Sequence, residues 1–247
     1  MHKVSRGSRF NQIYIPKSME SVFEVGDTVK VELIEKKTRI FSENVKLSEF
    51  KEKLIQEAFS FLSKFNISQI FFIGSFLSQK TDYRDIDLLI VSEENENKIY
   101  EKLIDKFNLK FHLIVIPEEK FKILSEICPL TRSMLNSYAS NKKFELPKQR
   151  IDKSHIKFLL MMPEDLLKIN AGSRAFYDNI RRLITIRRFL DNKELDAKSI
   201  NSELKSLLGH LFEYSKENSE STSEMIKKFR KIIKAELKII KTKQENG

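Results

Sequence analysis

From Phe71 to Glu93 the chain reads FFIGSFLSQKTDYRDIDLLIVSE, and no other stretch constrains the fold as tightly. An apolar strand stops at Gly74-Ser75, a polar segment follows, and Asp85-Ile86-Asp87 opens a second apolar strand. Side chains alternate along a strand, so Asp85 and Asp87 project from one face with Ile86 on the other. Two carboxylates so placed can share a divalent cation. Gly74 lets backbone approach a phosphate, and Ser75 offers a hydroxyl and an amide at the start of a helix. In the intervening segment Lys80 and Arg84 could touch a triphosphate and Ser78 could extend the phosphate-binding turn, whereas Thr81 and Asp82 read as ordinary loop.

The flanking sequence supplies the rest of an α+β order. Leu47, Phe50, Leu54, Ala58, Phe61 and Phe65 recur at helical spacing behind Ser48, a candidate N-cap. Strands are expected over 67–73, 85–92 and 111–116, with a charged helix over 94–107 and another opened by Pro117-Glu118-Glu119. Residues 1–42 read as short strands, among them Phe10 to Ile15, Val29 to Leu33 and Thr38 to Phe41. Residues 129–152 read as a loop or short hairpin leading away from the core, by virtue of Pro129, Pro147 and the polar run Ser140-Asn141-Lys142-Lys143. Beyond them the pattern is helical: 155–162 with a start or restart at Pro163, then 173–190, 196–214 and 221–243. The division expected is therefore a β-rich module (1–42), a mixed-sheet core (43–128), a connector (129–152) and a helical domain (153–247).

A strand ending in Gly-Ser, about ten residues, then Asp-apolar-Asp on the next strand resembles the nucleotide-binding core of the DNA polymerase β-like minimal nucleotidyltransferase superfamily. The resemblance covers roughly residues 43–128. It implies transfer of a nucleoside monophosphate from a triphosphate, ATP being the first choice, to a hydroxyl of a macromolecule. It also implies Mg²⁺ or Mn²⁺ on Asp85 and Asp87 as catalytic metal ligands, with Gly74, Ser75, Ser78, Lys80 and Arg84 toward the nucleotide. That superfamily usually places a third acid on the following strand; here that strand reads Lys110-Phe111-His112-Leu113-Ile114-Val115, so His112 stands in its place. An imidazole could take a proton from a hydroxyl or ligate a softer metal, but it brings no negative charge. Glu118 and Glu119 are the other acids that could serve.

The order IYIPKSM, a short link, then VGDTVKVELI resembles the SpoVT-AbrB swapped-hairpin DNA-binding module over about 35 residues. That likeness implies a homodimer with Lys3, Arg6 and Arg9 toward DNA. The helical domain is similar to HEPN bundles that accompany such nucleotidyltransferases. Arg150 and His155 have the ribonuclease spacing of those bundles, yet they sit at the entry to the domain, and Lys205 stands where an arginine should precede His210.

Charge enters at this point. A net charge of +10 suits an anionic partner, nucleic acid first among them, or simply a solvated lysine-rich surface. In SRAFYDNIRRLITIRRFL, from Ser173 to Leu190, Phe176, Ile180, Leu183 and Leu190 share an apolar face, and Arg174, Tyr177, Arg181 and Arg188 line another. Those arginines could bind phosphates of RNA or a triphosphate, dock on the acidic site, or pair with Glu164, Asp165, Asp178 and Asp191. The basic run in the last helix reads first as a solvated face. Cys128 is the single cysteine, which excludes an internal disulfide and a cysteine zinc site. No apolar run reaches the roughly 18 to 20 residues of a membrane span, and no signal peptide is discernible. A cytoplasmic protein with no membrane partner is expected. The alternative to an enzyme is a non-catalytic regulator, nucleotide-sensing or antitoxin-like, that binds DNA through its N-terminal module.

Overall fold

The computed structural model describes residues 4–6, 11–13, 22, 27–28, 38–79, 83–216 and 221–246. The chain divides into two units, 1–37 and 38–247. In the first, β1 (Val4–Arg6) pairs antiparallel with β2 (Asn11–Ile13). The strand expected over Val29 to Leu33 lies outside the described residues.

The second unit is an α+β structure. Its five-stranded mixed sheet has the order β3-β7-β4-β5-β6, made of β3 (Phe41–Glu43), β4 (Ile67–Ile73), β5 (Ile86–Ser92), β6 (Phe111–Ile116) and β7 (Tyr138–Ser140). Only β5 and β6 run parallel, and the helix α2 (Glu96–Phe107) makes the crossover between them. Strand alternation decides what each face of the sheet meets. Ile70 and Phe72 of β4 and Ile86, Leu88 and Ile90 of β5 enter one core with α1 (Glu49–Leu62) and α2. Phe71, Ile73, Leu89 and Val91 enter the opposite one, against Phe121 of α3 (Glu118–Ile127), Leu135 and Tyr138. Both faces are covered, which is why β4 and β5 read as continuous apolar runs.

Two expectations change here. The segment after Cys128 does not lead away from the core. It forms α4 (Pro129–Met134) and returns as β7 between β3 and β4. The Asn141 side chain then accepts the Ile70 N–H at 2.9 Å, extending the ladder with an amide group where the strand has ended. The second change is the edge strand, Phe41–Glu43, which pairs with β7 in the central sheet and so belongs with the second unit, whose boundary falls at Thr38.

Ser48 caps α1 as its sequence position suggests. The face α1 buries is Lys51, Ile55, Ala58, Phe59 and Leu62, offset from the expected one, and Phe50 points to solvent.

The helical region comprises α5 (Lys153–Asp165), α6 (Ser173–Leu190), α7 (Ala197–Leu208), α8 (Leu211–Tyr214) and α9 (Ser223–Asn246). One core joins them, with Phe176 of α6 stacked on Phe229 of α9 at 5.1 Å between ring centres. Pro163 neither starts nor restarts a helix, since α5 carries it in its last turn. The helix expected over 196–214 is broken at Gly209, whose φ of +56° is left-handed. At the N-terminus of α7 the Asp196 carboxylate accepts the Ser199 N–H at 2.8 Å. Asp196→Ala should cost about 1 kcal/mol, the usual worth of an acidic N-cap, read as a shift of the urea midpoint at constant slope.

Candidate functional site

The sequence needs a glycine at 74 for a reason visible in the backbone. Gly74 sits at φ +74° and ψ −155°, where the chain leaves β4 and turns into a short 3₁₀ segment, Ser75 to Leu77. A β-carbon at this position would lie 2.2 Å from Asp87 Oδ2. The turn and the second acid of Asp85-Ile86-Asp87 are therefore in contact, brought there by the antiparallel pairing of Ile73 with Asp87. Asp85 immediately precedes β5, partly buried, and Ile86 enters the opposite core as alternation requires.

On the other side of β5 the parallel register sets Asp87 beside His112. His112 Nδ1 lies 2.9 Å from Asp87 Oδ1, and the imidazole is 63% exposed. When Nδ1 carries the proton and donates it to the carboxylate, Nε2 keeps its lone pair and can accept a proton from a group in front of the sheet. Gly74 and Ser75 are exposed at the same edge, and Ser78 closes the turn by donating its hydroxyl to the Ser75 carbonyl at 2.7 Å. Arg84 is exposed next to Asp85.

A lysine of α1 holds this turn. Lys51 is buried, and its ammonium donates to the Ser78 carbonyl at 2.6 Å. It lies 5.3 Å and 5.4 Å from the ring centres of Phe76 and Tyr83, which bracket the polar segment. The only sequence signal for it is the break it makes in the apolar face of α1.

Not every expected residue joins the site. Glu118 and Glu119 begin α3 beyond the far end of β6, about 20 Å along the chain from His112 at strand rise. Glu118 is committed there to Lys122 at 2.9 Å and Ser68 at 3.0 Å, hydrogen bonds that draw its pKa below the ordinary value. Neither acid can take the third position. Lys80 lies outside the described residues, as do Lys3 and Arg9, and Arg6 ends β1.

The arginines of α6 do not form one stripe. Arg188 is 8% exposed, paired through Nη1 with Glu203 and donating through Nε to the Glu194 carbonyl, so it has no face for a nucleic acid. Arg174 pairs with Asp178 at 3.0 Å and lies over the Tyr177 ring. Arg181 is partly buried and has no side-chain partner among the described residues. The last helix is likewise not wholly a solvated face: Arg230 donates to the Leu166 and Ile169 carbonyls beyond α5, Lys241 pairs with Glu164, and Lys243 with Asp191. At the entry to the region Arg150 pairs with Glu126, while the His155 Nε2 is buried without a partner among the described residues.

No protein-family model matches the chain, and neither a curated protein nor a solved structure is significantly similar to it.

The donor set bears on a metal. Among the described residues, no group of three or more His, Cys, Asp or Glu is gathered to enclose an ion. What stands together is Asp87 and His112, with Asp85 two residues back. Carboxylate and imidazole are donor types that a divalent cation accepts, but among the described residues Asp85 does not join the Asp87–His112 pair in a group of three. Among the described residues no helix is long and apolar enough to cross a membrane.

Proposed function

We propose that the second unit is a nucleotidyltransferase that moves a nucleoside monophosphate from a triphosphate to a hydroxyl of a macromolecule. The observation that carries this reading is the contact of Gly74 with the Asp87 carboxylate, with His112 in register on the next strand. A Gly-Ser turn pressed on an acid pair supplies, within one edge of a sheet, exposed amides for phosphate oxygens and carboxylates for a cation. Asp85 and Asp87 would hold that cation, which when bound offsets the negative charge developing on the triphosphate.

The chain's own groups have separable tasks. Gly74 and Ser75 bind phosphate through backbone and hydroxyl, and Arg84 adds a cation next to Asp85. Lys51 keeps the turn in place through the Ser78 carbonyl. His112, oriented by Asp87, accepts the hydroxyl proton at Nε2 as the oxygen attacks the α-phosphorus and pyrophosphate leaves.

Purified protein with α-labelled triphosphates, Mg²⁺ or Mn²⁺, and total RNA should transfer label. Asp85→Asn or Asp87→Asn should lower the rate by at least about 100-fold and His112→Ala by about 100-fold. Absence of transfer with every triphosphate, or variants indistinguishable from the parent, would sink the reading. One observation favours a second reading, a nucleotide sensor without turnover: the Asp87 oxygen nearest β6 is already engaged by an imidazole where a third carboxylate would stand. In that case triphosphate raises the melting temperature and Asp87→Asn abolishes the shift, with no label transferred.

A further inference from the structure

We propose that α5 is the contact through which two copies of this chain associate, its axis antiparallel to the same helix of the second copy. Phe158, Met161 and Met162 are 67%, 57% and 52% exposed, and Ile151, just before the helix, is exposed as well. Three large neighbouring apolar side chains bare on one helix mark an interaction surface, and methionines adapt to the shape they meet. Among the described residues, the polar contact they make is Arg182 Nη1 at 3.7 Å from the Met162 sulfur. Beside them, between α5 and α9, lies a groove of about 750 Å³ lined by Lys153, Lys157, Phe158 and Met161, open to receive a side chain from outside.

The charge order along α5 indicates what covers this surface. Lys153 and Lys157 stand in its N-terminal half and Glu164 and Asp165 in its last turn; the first turn holds no acid and the last no base. The N-cap Asp152 suits the helix dipole, accepting the His155 N–H at 2.9 Å, but the order of the charges beyond it runs against what the dipole favours. Lys153, Lys157 and Asp165 have no side-chain partner among the described residues, and Glu164 meets Lys241 with one oxygen. Lys157 and Glu164 flank the same side of the Phe158–Met161 seam, seven residues apart. A second copy running antiparallel sets Lys157 opposite Glu164 and Lys153 near Asp165, twice over by symmetry, with Phe158 of each copy against Met161 and Met162 of the other. A two-fold interface requires this self-complementarity, and an unrelated acidic or basic partner would meet one half of the pattern with like charge.

The helix is about 20 Å long, so the interface is smaller than that of a permanent dimer and association should depend on concentration. Sedimentation equilibrium of the full chain from roughly 10 to 500 µM, which brackets a small interface, should show monomer and dimer. Phe158→Ser, at an exposed position that leaves far-UV circular dichroism unchanged, should weaken the dimer about tenfold or more, and Lys157→Glu should weaken it as well. The reciprocal exchange Lys157→Glu with Glu164→Lys should restore it. A chain monomeric throughout that range overturns the proposal. So does a dimer unmoved by Phe158→Ser, which would use another surface, and so does failure of the exchange to restore what Lys157→Glu removed.

Discussion

Replacing Gly74 with alanine is expected to destabilise the fold by about 3 kcal/mol and to separate Asp87 from His112. Two effects act together at this position. The backbone lies at φ +74° and ψ −155°, a region open almost only to glycine, where a side chain costs on the order of 1 to 3 kcal/mol. The added β-carbon would also stand 2.2 Å from Asp87 Oδ2 and 3.0 Å from its carboxyl carbon, and Asp87 is held on its other side by the β5–β6 ladder. The carboxylate must turn away, and it is the same carboxylate that His112 contacts at 2.9 Å. Urea unfolding followed by far-UV circular dichroism measures the first effect, since the chain has no tryptophan. The imidazole resonances of His112 report the second. Asp87→Ala in the Gly74→Ala background should recover part of the loss, because it removes the clash and leaves the backbone strain. A coupling near zero between the two substitutions, or a Gly74→Ala protein as stable as its parent, would show that turn and acid are independent.

How much of this could be read beforehand depended on the range of the signal. The strands 67–73 and 111–116 and the helix 173–190 fall where their patterns place them, because each is long and its burial is written in its own residues. His112 was placed at the site only by the resemblance, which sets it where a third acid usually stands; the parallel register that pairs it with Asp87 is written in neither strand alone. Tyr138–Ser140 was not legible as a strand: three residues give no alternation, and Asn141, which reads as loop, completes the pairing with its side chain. Lys51 was hidden for the opposite reason. A lysine is read as a solvent residue from its charge, yet here its stem is buried and its ammonium is satisfied by a carbonyl twenty-seven residues away. Arg188 looked available for phosphate because Glu203 lies on another helix, beyond the reach of any pattern within α6.

That buried arginine belongs to the cluster with the second large expected effect. Arg187 donates through Nε to Glu236 and through Nη2 to Glu203, both at 2.7 Å, and Arg188 reaches the other oxygen of Glu203. Glu236 is 4% exposed and ties α9 to α6, the helices that also share the Phe176–Phe229 stack. Glu236→Ala should therefore cost about 3 kcal/mol or more, since it leaves Arg187 with one partner in a site that water does not freely enter. The paired change Arg187→Met with Glu236→Met should cost much less. Removing both charges also removes both desolvation costs, and Glu203 keeps Arg188. Acid should weaken the same cluster. Burial alone would raise the Glu203 pKa, but hydrogen bonds from Arg188 and Arg187 hold it below the ordinary 4.5. A carboxyl lowered by folding contributes stability that is present above its unfolded value and lost as pH falls through its folded one, so the loss begins near pH 4.5 and deepens below it. Urea midpoints between pH 7 and pH 3 for the parent and for Glu203→Gln test this: the parent should fall more steeply, and parallel slopes would remove Glu203 from the account. If the Met pair proves as costly as Glu236→Ala, the cluster instead acts by fixing the register of α9 on α6, which well-packed apolar side chains of similar volume cannot do.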